Sequence, residues 1–332
     1  MANPLKLHFV SINAGVDVEK EFYLGAIATH PDELIACSDP AEADFVILTD
    51  FSEHEHFGRV QDCPEVMEYP EKSIIISECD QPVEILPGFY SSGIQSSRLR
   101  NFMEGWHFPF LNVRFPNRQI QLSTQEGSRE RDFLGSFIGY PSHTLRLKLA
   151  KKFGHFPDMS IKVSKEYHHF EMNMDMESET PQKRYVDMLR NSHFSLCPRG
   201  RGPSSMRLYD SMRFGVVPVI ISDAWVKPSF VDWDSCSLQV KEKHLKELHK
   251  ILLEHEPYSN EMGKTAKSVY QNYFADECLV GTLKRTLEQM KLSLQSPPKI
   301  SPSFVLRSRM SRFIAFKTAF YKAVLYNRLH NI

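Results

Sequence analysis

Long apolar runs are missing from this 332-residue chain, and no segment approaches the roughly 20 apolar residues that a membrane span needs. The opening residues, MANPLKLHFVSINAG, lack the extended apolar core after a basic start that marks a secretory leader. An excess of either charge is missing too. The formal net charge is −1 at pH 7, so the chain carries no global nucleic-acid footprint, and nucleic acid is not expected as a partner. Cysteine is sparse: six residues, Cys37, Cys63, Cys79, Cys197, Cys236 and Cys278, have neither the close pairing of a zinc site nor the density of a disulfide scaffold. These absences together lead to the expectation of a soluble protein in a reducing, cytoplasmic setting.

What is present describes a globular chain with ample core, 42% of its residues being apolar, and a length that fits two domains. Leu5 to Ile12, Ala43 to Thr49 and Ser73 to Ser77 read as strands, separated by helical or looping segments such as Val18 to Ala28. The polar stretch QLSTQEGSRER, Gln121 to Arg131, breaks this alternation and reads as an interdomain linker. A second alternation follows: strand Phe133 to Ile138, helix Thr144 to Phe153, strand Ser160 to Val163, then helical periodicity over His244 to Glu254, Met262 to Phe274 and Ala275 to Leu294. Strand alternating with helix is the grammar of a parallel sheet, so the expected fold is α/β with two Rossmann-like halves, 1–125 and 126–296, followed by a tail, 297–332.

The most informative stretch is FSLCPRGRGPSSMRLYDSMRFGVVPVIISD, Phe194 to Asp223. FSLC is a short apolar strand; two prolines and two glycines between Pro198 and Pro203 then force a turn. Ser204 or Ser205 caps a helix running to Phe214, Gly215 takes the left-handed stop position, and VVPVIIS forms a buried strand. Such a unit presents a helix N-terminus whose unpaired amides and dipole attract an anion, with Arg199, Arg201 and Arg207 adding cations around it. A diphosphate fits that chemistry.

The same stretch resembles the signature of the exostosin family, glycosyltransferase family 47, whose plant-type pattern is close to CPxGxxPxSxRLxDAxxxGxxPVxxSD. Cys197, Pro198, Gly200, Pro203, Ser205, Arg207, Leu208, Asp210, Gly215, Pro218, Val219, Ser222 and Asp223 match it in one register. The likeness continues weakly from about Tyr185 to about Met290. Asp210 stands where animal exostosins usually place Glu, Ser211 replaces a common Ala, and Arg201 adds a charge. The resemblance implies a GT-B architecture, a nucleotide-sugar donor held mainly by the C-terminal half, a glycan acceptor approaching from the N-terminal half, and inversion at the anomeric carbon.

Carried over residue by residue, the resemblance implies that Arg199, Ser204, Ser205 and Arg207 contact the diphosphate, with Gly200 and Arg201 in the same loop, and that Asp210 meets a ribose hydroxyl. Asp223, with Ala224 and Trp225 after it, is expected at the donor sugar, or as a turn or cap former. Gly139 and Ser142, at the equivalent strand-to-helix turn, with Arg146 behind them, are a second approach point for phosphate, on topology alone. The general base for the acceptor hydroxyl is expected from the N-terminal half, where Asp50, Glu78 and Asp80 each follow an apolar strand. Each of these three acids also suits a cap or turn.

No metal or other cofactor is expected: helix terminus and arginines supply the charge that a departing nucleoside diphosphate needs, and the co-substrate is a nucleotide sugar, UDP-linked by preference with a guanine nucleotide left open. Asp232-Trp233-Asp234 spells the Asp-x-Asp pattern of metal-dependent transferases but lies beyond the motif and reads as fold. His54 with His56, and His168 with His169, lack partners at ligand spacing. From Lys299 onward seven lysines and arginines interleave with Phe304, Met310, Phe313, Phe316, Phe320, Val324 and Leu325 without an acid, an amphipathic basic helix. It suits either an anionic membrane surface, as a peripheral contact, or packing on the N-terminal domain. A noncatalytic sugar-nucleotide or glycan-binding protein of the same fold is the alternative to an enzyme.

Overall fold

The computed structural model describes residues 3–11, 17–50, 60, 63–82, 84–123, 130–163 and 181–294. The two histidine pairs and the basic tail lie outside them. The described residues divide into two compact units, the first drawn from Met1–Phe110, Ala224–Ser229 and 273–294, the second from Leu111–Asp223 and Phe230–Asn272. Each unit holds one all-parallel, Rossmann-like sheet, the pair of α/β sheets on which a GT-B architecture rests.

In the first unit the strands are β1 (Leu5–Ser11), β2 (Leu34–Ala36), β3 (Phe45–Asp50), β4 (Ser73–Ser77), β5 (Gly88–Tyr90) and β6 (Met103–Gly105), in the spatial order β2-β1-β3-β4-β5-β6. Leu5, Leu7 and Phe9 alternate with Lys6 and His8, so β1 buries one face only. SIIIS of β4 is buried throughout, as befits a strand paired on both sides and covered on both faces. Helix α1 (Val18–Ala28) seals one face with Tyr23 and Ile27. The segment Ala224–Ser229 straps onto the same unit. Gln95 N donates to Ala224 O at 2.7 Å, Val226 N to Gly93 O at 3.0 Å, and Trp225 Nε1 to Ser91 O at 3.1 Å.

In the second unit β7 (Phe133–Gly139), β8 (Met159–Val163), β9 (Ser192–Pro198), β10 (Val217–Ile221) and β11 (Leu238–Gln239) lie in the order β11-β10-β9-β7-β8. The chain steps from β7 outward to β8 and then crosses to β9 on β7's other side, so a topological switch point lies between β7 and β9. Helices α2 (Thr144–Phe153), α3 (Pro181–Arg190), α4 (Met206–Arg213), α5 (Leu248–His255) and α6 (Ser259–Val269) accompany the sheet. Phe137, Phe194, Leu196, Val217, Val219 and Ile221 form the strand side of the core. Gly215 ends α4 at φ 66°, the left-handed stop expected of it, and its carbonyl accepts a 2.7 Å bond from Arg131 Nη2. Gly263 of α6 passes so close that a Cβ there would overlap the Gly215 carbonyl oxygen.

Helix α7 (Leu279–Ser293) returns to the first unit, where Leu279, Leu283, Leu287, Met290 and Leu294 at helical spacing join its core. β2, β5, β6 and β11, two or three residues each, and helix α3 are elements that periodicity did not reveal. Three residues carry too little pattern to separate a strand from a turn, and β5 opens on Gly88 at φ 154°, where a side chain would collide with Ile75.

Candidate functional site

Two strand-to-helix turns meet at the switch point: β7 into α2 carries Gly139 to His143, and β9 into α4 carries Arg199 to Ser205. They touch. A Cβ at Gly200 would sit 2.9 Å from Arg146 Nη2 and 3.0 Å from Ser142 Oγ, so this loop position packs closely against the neighbouring turn. Arg146 fastens the pair. Its Nε donates to Arg199 O at 3.2 Å, Nη2 to Pro198 O at 3.3 Å and Nη1 to Tyr140 O at 3.0 Å, and the guanidinium lies over Phe137. The sequence placed Arg146 behind Ser142 as an approach point for phosphate; in the structure its donors are directed to backbone carbonyls, and it braces the two turns.

The helix termini thus sit side by side at the carboxyl ends of adjacent strands, where α/β sheets hold their ligands. Ser205 adopts the extended cap conformation of α4 but makes no side-chain cap bond. Ser204 Oγ and Ser222 Oγ are buried without a hydrogen-bond partner among the described residues. Arg207, only 7% exposed, packs against Phe137 and Tyr185, with its guanidinium 5.0 Å and 4.6 Å from the two ring centres. Its Nη2 donates to Ile138 O, and its Nη1 has no hydrogen-bond partner among the described residues. A buried cation and, three residues before it at a helix N-terminus, a buried hydroxyl, each with an atom lacking a hydrogen-bond partner among the described residues, form an arrangement that suits an anion. Arg199 is partly exposed and stands 4.0 Å from Glu242; Arg201 is exposed.

One turn further along α4, Asp210 accepts a 2.6 Å bond from the Tyr185 hydroxyl. Burial raises its carboxyl to about 6, although that bond and the charges of Arg207 and Arg213 pull the other way. Below it, burial pushes the Cys197 thiol up to about 12, which leaves it inert at neutral pH. Asp223 is exposed, and its Oδ1 accepts a 3.2 Å bond from Glu242 N, capping the 3₁₀ turn Glu242–Glu247. Trp225, expected beside it at the donor sugar, is 3% exposed and bound to Ser91 in the strap of the first unit, so that expectation is corrected.

Of the three acids proposed as base, Asp50 ends β3 and its side chain lies outside the described residues. Glu78 is 2% exposed; its Oε1 accepts from Phe110 N at 2.9 Å and from the Tyr23 hydroxyl at 3.3 Å, and that hydroxyl accepts from Trp106 Nε1 at 3.2 Å. This carboxylate serves the fold, tying the helix Pro109–Arg114 to α1. Asp80 is partly exposed. Glu19, buried in the first turn of α1, joins Glu78 and burial in raising the Tyr23 phenol well above its ordinary value. Sequence reading missed Glu19 because an acid in a first helical turn looks like a dipole partner. It missed Tyr185 because the apolar stripe of Tyr185, Val186 and Leu189 looks like core alone.

Among the described residues no three or more His, Cys, Asp or Glu side chains gather as a metal ion would need. Asp232-Trp233-Asp234 opens a short helix around buried Trp233, and Asp234 Oδ1 accepts from Gln239 Nε2 at 3.2 Å.

The Exostosin GT47 domain profile matches residues 89–254, half the chain. The chain belongs to the exostosin GT47 family. It is similar to "Exostosin-1 homolog" of Caenorhabditis elegans, 36% identical over 92 residues, which are 27% of this chain and 24% of that protein. "Probable beta-1,4-xylosyltransferase IRX10" of Arabidopsis thaliana is 40% identical over 80 residues, 24% of this chain and 19% of that protein. The matched stretch therefore spans about a quarter or less of these relatives' lengths. Among solved structures, an alpha1,3-fucosyltransferase aligns with a TM-score of 0.44 at 13% identity, covering 90% of this chain and 95% of that one. Within this exostosin-family chain, the matched residues include both turns of the switch point.

Proposed function

We propose that the chain is a nucleotide-sugar-dependent glycosyltransferase that moves a hexosyl or pentosyl unit to a glycan hydroxyl, inverting the anomeric centre without a metal. The observation that carries this is the pairing of two helix N-termini with buried donors on Arg207 and Ser204 that have no hydrogen-bond partner among the described residues. As the glycosidic bond breaks, negative charge grows on the departing diphosphate, and fixed amides, hydroxyls and a guanidinium stabilise it there at no cost of reorganisation. Arg199 and Arg201, less buried, suit the outer oxygens, and Asp210 suits a ribose hydroxyl. Gly139 and Ser142 supply the second turn. The family membership supports the donor class; a uridine nucleotide is the preferred base.

Inversion requires a base on the acceptor side, and Asp80 is the first to test, since Glu78 is enclosed by its own partners. Asp223 lies at the end of β10, available to a sugar by its remaining oxygen. The test is a panel of nucleotide sugars read by thermal shift and then by nucleotide release. A donor at a hundredfold its dissociation constant adds about 2.7 kcal/mol of stability. Binding with no turnover on any acceptor would favour a noncatalytic sugar-nucleotide binder instead, and turnover lost in EDTA would end the metal-free reading.

A further inference from the structure

Tyr185 touches both charged groups of the candidate donor site from another element. Its ring lies under the Arg207 guanidinium at 4.6 Å and its hydroxyl donates to Asp210 Oδ2 at 2.6 Å, while Tyr185 itself is 3% exposed. Arg207 and Asp210 occupy successive turns of α4, and an arginine has many rotamers to lose on being fixed. Phe137 on β7 also packs against that guanidinium, its ring centre 5.0 Å away. The aromatic pair leaves Nη2 on Ile138 O and Nη1 without a partner among the described residues.

Resting on the reading of this site as the nucleotide site, we infer that Tyr185 is a positioning residue, which sets Arg207 and Asp210 in register so that one nucleoside diphosphate engages both, the guanidinium at phosphate and the carboxylate at ribose. A single hydroxyl and ring then couple the two ends of the ligand. The carboxylate form of Asp210 is the acceptor for a ribose hydroxyl, and the Tyr185 bond favours that form. The charged and titratable groups facing Asp210 are Tyr185 from α3, Arg207 and Arg213 from α4, and Cys197 from β9. Removing the hydroxyl therefore raises the pH at which Asp210 loses its charge.

The experiment is calorimetric titration of the full chain with UDP, and separately with GDP, between pH 5 and 8. Wild type is expected to lose affinity as the pH falls through about 6. Tyr185→Phe keeps the ring under Arg207 and removes only the hydroxyl, so affinity at pH 7 falls roughly 10-fold and the midpoint of the pH dependence moves upward. Tyr185→Leu loses the ring as well and weakens binding further. In an Asp210→Asn background, Tyr185→Phe adds little more loss. Equal weakening of Tyr185→Phe at every pH, with no movement of the midpoint, would show a merely structural tyrosine and overturn the inference. Wild type binding neither UDP nor GDP would overturn the reading of the site and the inference with it.

Discussion

Each unit sets a carboxylate beside a buried tyrosine, yet the two arrangements have opposite electrostatic character. In the first unit Glu78 is closed off, its Oε1 taking the Phe110 amide and the Tyr23 hydroxyl, which in turn is tied to Trp106. In the second, Asp210 shares its tyrosine with an arginine that has one donor unbonded among the described residues, and burial raises the carboxyl to about 6, where small changes of environment alter its charge. A satisfied buried network rigidifies a fold; a partly satisfied one costs stability and is retained where a ligand completes it. The contrast distinguishes the two arrangements on their hydrogen bonding alone.

The sharpest way to break this comparison is Gly263→Ala. Its new methyl would overlap the Gly215 carbonyl oxygen, which is backbone and cannot swing aside, so the α4–α6 packing must shift at a cost of about 2–4 kcal/mol. Denaturant unfolding measures it, and a change under 1 kcal/mol would show that α4 is not rigidly seated. Next in size, Glu78→Gln exposes the difference between scaffold and site directly. It should lose about 1–3 kcal/mol of stability with turnover retained at a temperature where the variant stays folded. Asp80→Asn should do the reverse, abolishing turnover while unfolding stays within about 0.5 kcal/mol of wild type.

The pH dependences of the two units should run in opposite directions. Burial lowers His107 of the first unit from 6.5 to about 3, so as the pH falls below 6.5 the unfolded chain takes up a proton that the folded one refuses, and stability falls. Asp210 is raised from 3.8 to about 6, so in that window the folded chain holds the extra proton, and this contribution to stability falls as the pH rises. Asp210→Asn should flatten the loss between pH 4 and 6 and leave the protein slightly more stable than wild type at pH 7. His107→Asn should remove the acid sensitivity below 6.5, subject to its own packing loss. Thermal unfolding scanned across pH distinguishes them, and parallel slopes in the two variants would remove the distinction.

Much of this was legible from residue order. The helix Thr144–Phe153, the strand Ser73–Ser77 and the left-handed Gly215 stand where the pattern puts them, because each depends on local periodicity or on a glycine that only one conformation suits. The helix start at Ser204 to Arg207 was legible because a proline-glycine turn ahead of an apolar-periodic stretch ends one element and opens the next. Arg146 was not legible as a brace. Its partners Pro198, Arg199 and Tyr140 belong to two turns, two of them more than fifty residues away, and nothing in the helix around Arg146 records that the switch point brings them together. Trp225 followed the same course, since its partner Ser91 lies across the unit boundary in sequence and inside one unit in space.

The sequence by itself determined the parallel α/β grammar, the basic glycine-proline turn and the helix that starts from it, since these follow from side-chain spacing and backbone preference within a few residues. Only the tertiary structure decided which charges remain unspent. Arg146, partly exposed, and Arg207, buried, lie beside the same ring, Phe137, yet the first is directed to three carbonyls and the second has one donor unbonded among the described residues. Whether a guanidinium braces a loop or awaits an anion depends on which carbonyls the fold brings within reach, and those come from strands far apart along the chain.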